Sequence, residues 1–252
     1  VNERRSALES RARISFAALL LALLALFGSV IAAPSAAADE GSPDTSNGSP
    51  VNTAIVQNTK DNSSVFKLAF DIRTITNAST VAPGNAAIAI ASCKNCQTVA
   101  IAVQIVFVVG SPTVFAPENA AVAVNTECSF CDTLATAYQF VVQTSVPVRF
   151  TAAGKHHLHD IWKALKDLEK SGLTGAEIQA RVDELMQQLA VVLATEVEPI
   201  PGAQEGDHSD QPSTASSAAA STTTTVSVVS TTSTSSSTTT TTTTTTTVPT
   251  SS

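Results

Sequence analysis

The sequence is short of almost everything that a catalytic or nucleic-acid-binding chain displays. It has one Trp, one Tyr and one Met, and aromatics make up only 4% of the residues. A buried core must therefore be assembled from small and β-branched side chains, chiefly Ala and Val. Lys and Arg number 14 against 21 Asp and Glu, a net charge of −7, and the cations form no basic stripe. Phosphate contacts need clustered Lys and Arg, so nucleic acid is excluded as a partner. A Gly-rich phosphate loop, a Gly-x-Ser-x-Gly elbow and a His-Glu-x-x-His helix are all missing from the sequence. The chain is accordingly expected to act without catalysis and without a cofactor. Its first residue is Val rather than Met, which fits an alternative start codon or an incomplete N-terminus.

What is present begins with an export signature. Arg4, Arg5, Arg11 and Arg13 precede an apolar run from Ile14 to Ala33, and Ala36-Ala37-Ala38 leads into Asp39-Glu40. Basic, apolar and small-residue regions in that order read as a signal peptide over residues 1–38. The rival is an N-terminal anchor, because Ile14 to Ala33 is long enough to span a bilayer. Positive-inside orientation would still put the rest outside, so both readings give an extracellular or cell-surface protein. Residues 39–50 (DEGSPDTSNGSP) read as a disordered linker, and residues 199–252 as a disordered Ser/Thr-rich tail with an unbroken run from Thr238 to Thr247. That composition suits an O-glycosylated stalk or an unmodified tail. About 150 residues remain, the size of one domain.

That domain repeats itself. Asn85-Ala-Ala-Ile-Ala-Ile90 matches Asn119-Ala-Ala-Val-Ala-Val124, and each copy runs into a Cys-x-x-Cys, Cys93/Cys96 and Cys128/Cys131. Gln104 and Gln139 follow at equal distance. A fainter copy starts at Asn52, with Lys60-Asp61-Asn62-Ser63 in the Cys-x-x-Cys slot and Ala69 aligned with Ala102 and Ala137. Asp61-Asn62 and Lys94-Asn95 suit tight turns, and Val99, Ile101, Val103, Ile105 and Phe107 alternate with other residues at the strand period. The expectation is an α+β fold, with residues 51–150 forming an antiparallel sheet from three repeated β-hairpins. Helical spacing also fits Val65–Ile72 and Leu134–Val142, which leaves a helical alternative. The row of Ala100, Ala102, Ala135 and Ala137 is expected to pack beneath the C-terminal helices.

Those helices occupy residues 151–198 of the same domain. Leu158, Ile161, Leu165 and Leu168 make one apolar stripe, stopped at Ser171-Gly172. Thr174 and Glu177 form a capping box for a second helix carrying Ile178, Val182, Leu185 and Leu189. The resulting helical hairpin packs on the sheet or self-associates in the manner of a coiled coil.

Chemistry-bearing residues are few. Cys93, Cys96, Cys128 and Cys131 read as structural disulfides, which an exported chain with an even cysteine count favours. Zinc on two knuckles and thiol-redox exchange remain as alternatives. Against zinc stand the long interval between the knuckles and the lack of an accompanying Gly or Pro. His156, His157, His159 and Asp160 open a helix, where a solvated first turn is the plain expectation.

The strings NTKDNSSVFKLAFDIR, SCKNCQTVAIAVQIV, ECSFCDTLATAYQFVV and PVRFTAAGKHHLHDI resemble an uncharacterised domain of actinobacterial exported proteins. That domain is similar to the extracytoplasmic C-terminal region of some membrane proteins named as peptide zinc metalloproteases. The resemblance covers roughly residues 51–198 and implies fold and compartment. Protease activity is not implied, since His-Glu-x-x-His is missing. The expected role is a non-enzymatic cell-envelope or secreted interaction or structural module with a protein or envelope partner. An accessory of a metallopeptidase system and a thiol-redox protein are the alternatives.

Overall fold

A computed structural model describes residues 49–202, 225–235 and 239–248, all within one compact unit, Pro43–Ser252. The export segment, most of the 39–50 linker, and residues 203–224, 236–238 and 249–252 of the tail lie outside the described residues. Among the described residues, no helix is long and apolar enough to cross a membrane.

The repeat region contains β1 (Val51–Asn58), β2 (Ser64–Thr76), β3 (Thr80–Val81), β4 (Gly84–Ala91), β5 (Lys94–Val109), β6 (Val114–Phe115), β7 (Glu118–Asn125) and β8 (Ser129–Thr144). The expected antiparallel hairpins are not formed. The strands flanking each Cys-x-x-Cys belong to different sheets, and every strand pairs in parallel with its equivalent one repeat away. One sheet runs β1-β4-β7, the other contains β2-β5-β8, and β3 pairs with β6. The repeat is therefore one coil of a parallel β-solenoid, and the Cys-x-x-Cys is a corner between sheets rather than a hairpin turn. The helical alternative for Val65–Ile72 and Leu134–Val142 also falls, since both segments are strand.

The physical reason lies in what each strand buries. From Thr98 to Val109, β5 is buried at every position, so its two faces both meet protein. A strand hidden on both sides is characteristic of parallel sheets, whereas exposed hairpins leave one face wet. Ala54, Ala87 and Ala121 of one sheet pack against Ala100, Ala102, Ala135 and Ala137 of the other, forming a thin interior. The Ala row thus lies inside the solenoid and not beneath the helices, because only side chains this short let the two sheets approach so closely.

Polar groups enter that interior as ladders. Asn52 Nδ2 donates to Asn85 Oδ1 at 2.9 Å, and Asn85 Nδ2 to Asn119 Oδ1 at 2.8 Å. The same amides reach across to the Val103 and Tyr138 carbonyls of the opposite sheet. Gln139 Nε2 donates to Gln104 Oε1 at 2.8 Å, and both side chains are fully buried. Identical residues stacked one coil apart can satisfy one another, which makes buried amides tolerable here.

The bulky faces of β5 and β8 take the helices. Helix α1 (Ala152–Asp167) continues through a 3-10 turn, Leu168–Lys170, and α2 (Gly175–Thr195) follows. Ile161, Leu165, Ile178, Val182, Leu185 and Leu189 close over Val99, Ile101, Ile105, Leu134 and Phe140. Each such fully buried side chain stabilises the fold by about 1.5–3 kcal/mol relative to exposure. The capping box is formed: Thr174 Oγ1 accepts from Glu177 N, and the Glu177 carboxylate accepts from Thr174 N at 2.8 Å. The bond from Thr174 N, with a second donated by the Thr174 hydroxyl, holds the Glu177 carboxyl below its ordinary range. Tyr138 donates its hydroxyl to Asp183, and burial with that carboxylate pushes the phenol above its usual value. A short antiparallel pair, β9 (Val148–Phe150) with β10 (Val197–Pro199), ties the two ends of the helical hairpin together. In the described part of the tail the backbone is extended: β11 (Thr225–Ser235) runs antiparallel to β8 and to β12 (Thr239–Val248).

Candidate functional site: the cysteine corner

The corner after the first strand of each coil places an equivalent residue in the left-handed region. In coil one it is Asn62 at φ 54°, in coil two Asn95 at 52° and in coil three Phe130 at 57°. Asn tolerates this conformation, while a bulky aromatic rarely adopts it. Coil three is also longer here. The β4–β7 offset is 34 residues and the β5–β8 offset is 35, so one extra residue is taken up between Asn125 and Ser129, where Glu127 is at φ 53°.

Cys93 is bonded to Cys96 and Cys128 to Cys131, with Cα–Cα distances of 6.2 and 5.9 Å. Each bridge fastens one corner of one coil. Because Cys96 is the register partner of Cys131, the bridges stack. Cys96 Sγ lies 3.5 Å from Cys131 Sγ, and all four sulfurs fall within 4.8 Å of one another. Cys93 and Cys96 are buried, and Cys128 and Cys131 are half-buried. In coil one the same slot is closed without sulfur. Ser63 Oγ donates to Asn58 Oδ1 at 2.9 Å, and the Lys60 amide donates to the same oxygen at 3.1 Å.

The corner is locked to the helices through Asp132, which follows Cys131. Its carboxylate accepts from Gly175 N at 2.6 Å and from Gln97 Nε2 at 3.0 Å. A negative charge at the first turn of α2 is favourable there, since the free amides carry partial positive charge. The approach needs glycine: a Cβ at residue 175 would sit 2.5 Å from Asp132 Oδ1. Gln97 Nε2 also donates to the Leu173 carbonyl at 2.8 Å. Beside the bridges opens a shallow cleft of about 440 Å³, bounded by Asn62, Asn95, Cys96, Asp132 and Thr174. Phe130 stands at its rim, 92% exposed.

The four cysteines singled out in the sequence are thus brought together. His156, His157, His159 and Asp160 are not; all are exposed on α1, where the His159 ring lies 5.8 Å from that of Trp162. Sequence reasoning missed Asp132, Gln97 and Phe130. The only signal for Asp132 and Gln97 was their shared position after the second cysteine of each pair.

A second feature lies on the outside of the β1-β4-β7 sheet. Its rows read Ile55, Ile88 and Val122, then Thr53, Ala86 and Ala120, in register across the coils. Val51 is 61% and Ile55 54% exposed, and no helix covers this face among the described residues. No protein-family model, curated protein or solved structure matches this chain.

Proposed function

We propose that this chain is an exported, non-enzymatic interaction module of the cell envelope or its surroundings. Its working surface is the outer face of the β1-β4-β7 sheet. The observation that carries the reading is that this face is largely apolar, with Val51 and Ile55 exposed and no helix over it among the described residues, while helices close over β5 and β8 of the other sheet. Contiguous exposed apolar surface on a soluble domain marks contact with another molecule. Glu118 is the one charge along the three strands, so a charged polymer has nothing to pair with. The partner is an apolar protein surface. Export is supported by the basic and apolar N-terminus with its Ala-x-Ala exit, by two disulfides, which persist in oxidising compartments, and by the resemblance to exported actinobacterial domains.

The test is photo-crosslinking on producing cells, with the reactive residue placed at Ile55 or Val122 of the full chain and, as a control, at Lys163 of α1. Crosslinks to another protein should form from the sheet face alone and vanish when Ile88→Glu is added. Adducts only between copies of this chain, equal yield from residue 163, or no adduct at all would overturn the reading.

A further inference from the structure

The stacked bridges bring four sulfurs to one place, and that has a second chemistry. We propose that the reduced chain holds one zinc ion on Cys93, Cys96, Cys128 and Cys131, making this corner a redox-gated tetrathiolate metal site.

The geometry supplies the donors. In a tetrahedral thiolate site with Zn–S near 2.3 Å, the sulfurs sit about 3.8 Å apart. The four Sγ atoms already lie within 4.8 Å of one another, and the Cys96–Cys131 pair is at 3.5 Å. Only the two bonded pairs must open, and their Cα atoms, 6.2 and 5.9 Å apart, leave room for that by side-chain rotation. The long sequence interval between the knuckles, which argues against zinc in a linear reading, spans one coil. Parallel register places Cys131 beside Cys96 whatever lies between them. Burial of Cys93 and Cys96 shields half of the site from water.

The chemistry balances as follows. Each disulfide takes two electrons and two protons from a dithiol reductant, which leaves as its own disulfide. The four thiols then release four protons to solvent as one divalent ion binds. Thiolates are soft donors and select zinc over the hard cations calcium and magnesium. The same atoms therefore have two exclusive states, bridged without metal or open around it. In either state coil two is fastened at its corner; only the metal would fasten it directly to coil three.

The experiment uses the full chain, reduced without oxygen by a phosphine, which becomes the phosphine oxide with oxygen and protons drawn from water. Zinc and cobalt(II) are then titrated separately. One ion per chain, release of four protons and the intense visible absorption of tetrathiolate cobalt are expected, with no uptake by the oxidised chain. Cys96→Ser and Cys131→Ser should each weaken zinc by more than the roughly 100-fold that losing an outer partner costs, and Lys163→Ala should change nothing. Binding by the oxidised chain, a stoichiometry other than one, or cobalt bands without sulfur character would overturn the proposal. If reduction abolishes the strand signal in circular dichroism and one zinc per chain does not restore it, the proposal fails equally.

Discussion

Coil one and coil two trace the same course and are furnished differently. Coil two is hidden on both sides: Ala100, Ala102, Gln104 and Val106 of β5 face the interior while Ile101, Ile105 and Phe107 lie under the helices. At the matching register positions β2 carries Lys67, Ala69, Asp71 and Arg73, and its apolar residues Phe66, Leu68 and Phe70 are only half-buried. Arg73 and Asp71 pair at 3.0 Å. β2 is the edge of its sheet, with no strand beyond it among the described residues. Charged side chains on an edge strand discourage another chain from adding on. The repeat keeps its identity where coils must stack, as at Asn52, Asn85 and Asn119, and gives it up where the stack ends.

That contrast can be broken experimentally, and the largest effect belongs to the buried row. Ile105→Ala should cost about 2–5 kcal/mol, and Ile72→Ala, at the same register but 37% exposed, under about 1 kcal/mol. Equal shifts in denaturant midpoint would refute the idea that coil one is peripheral. Next come the corners. Replacing Cys93 and Cys96 by Ser should cost about 2 kcal/mol for so short a loop, whereas Ser63→Ala in coil one should lose only about 1 kcal/mol, one hydrogen bond. Thermal unfolding under oxidising conditions reads the difference. Asn85→Ala removes the middle rung of the ladder and should cost about 1–2 kcal/mol by leaving buried partners unmet; Asn119→Ala, at the half-buried end, should cost less in the same assay. The smallest change in stability, within about 0.5 kcal/mol, is expected from Lys67→Ala combined with Arg73→Val. Its signature is association instead: sedimentation should show dimers or larger species that the parent chain lacks.

Much of this architecture was legible, and strand pairing and the place of the Ala row went astray for a definable reason. The repeat, its three copies, the matched Ala and Gln positions and the capping box at Thr174–Glu177 all follow from the residues. Strand pairing did not, because alternation of Val99, Ile101 and Val103 with smaller residues has the same period in parallel and antiparallel sheets. Asp61-Asn62 and Lys94-Asn95 do occupy turns, with Asn62 and Asn95 left-handed, but a solenoid corner asks for the same backbone as a hairpin. The overlooked clue was the Ala face itself. Matched Asn and Gln one repeat apart, beside Ala on the reverse of an apolar row, means that equivalents stack and that both faces are covered. The cysteine cluster was half visible: the residues point to structural disulfides but leave three pairings open, and both the pairing and the contact between the bridges emerge only with the register of β5 against β8.

The corner of coil three absorbs one more residue than that of coil two, and β8 keeps its register all the same. Length at a corner is thus decoupled from order in the strands. A coil is a module that can be copied: duplicating residues 84–117 would insert a further rung, lengthen the stack by about 4.8 Å and leave both ends as they are. The molecule can be treated as a ruler whose graduations are coils, with reach adjustable by gene duplication and side loops free to diversify at every bend.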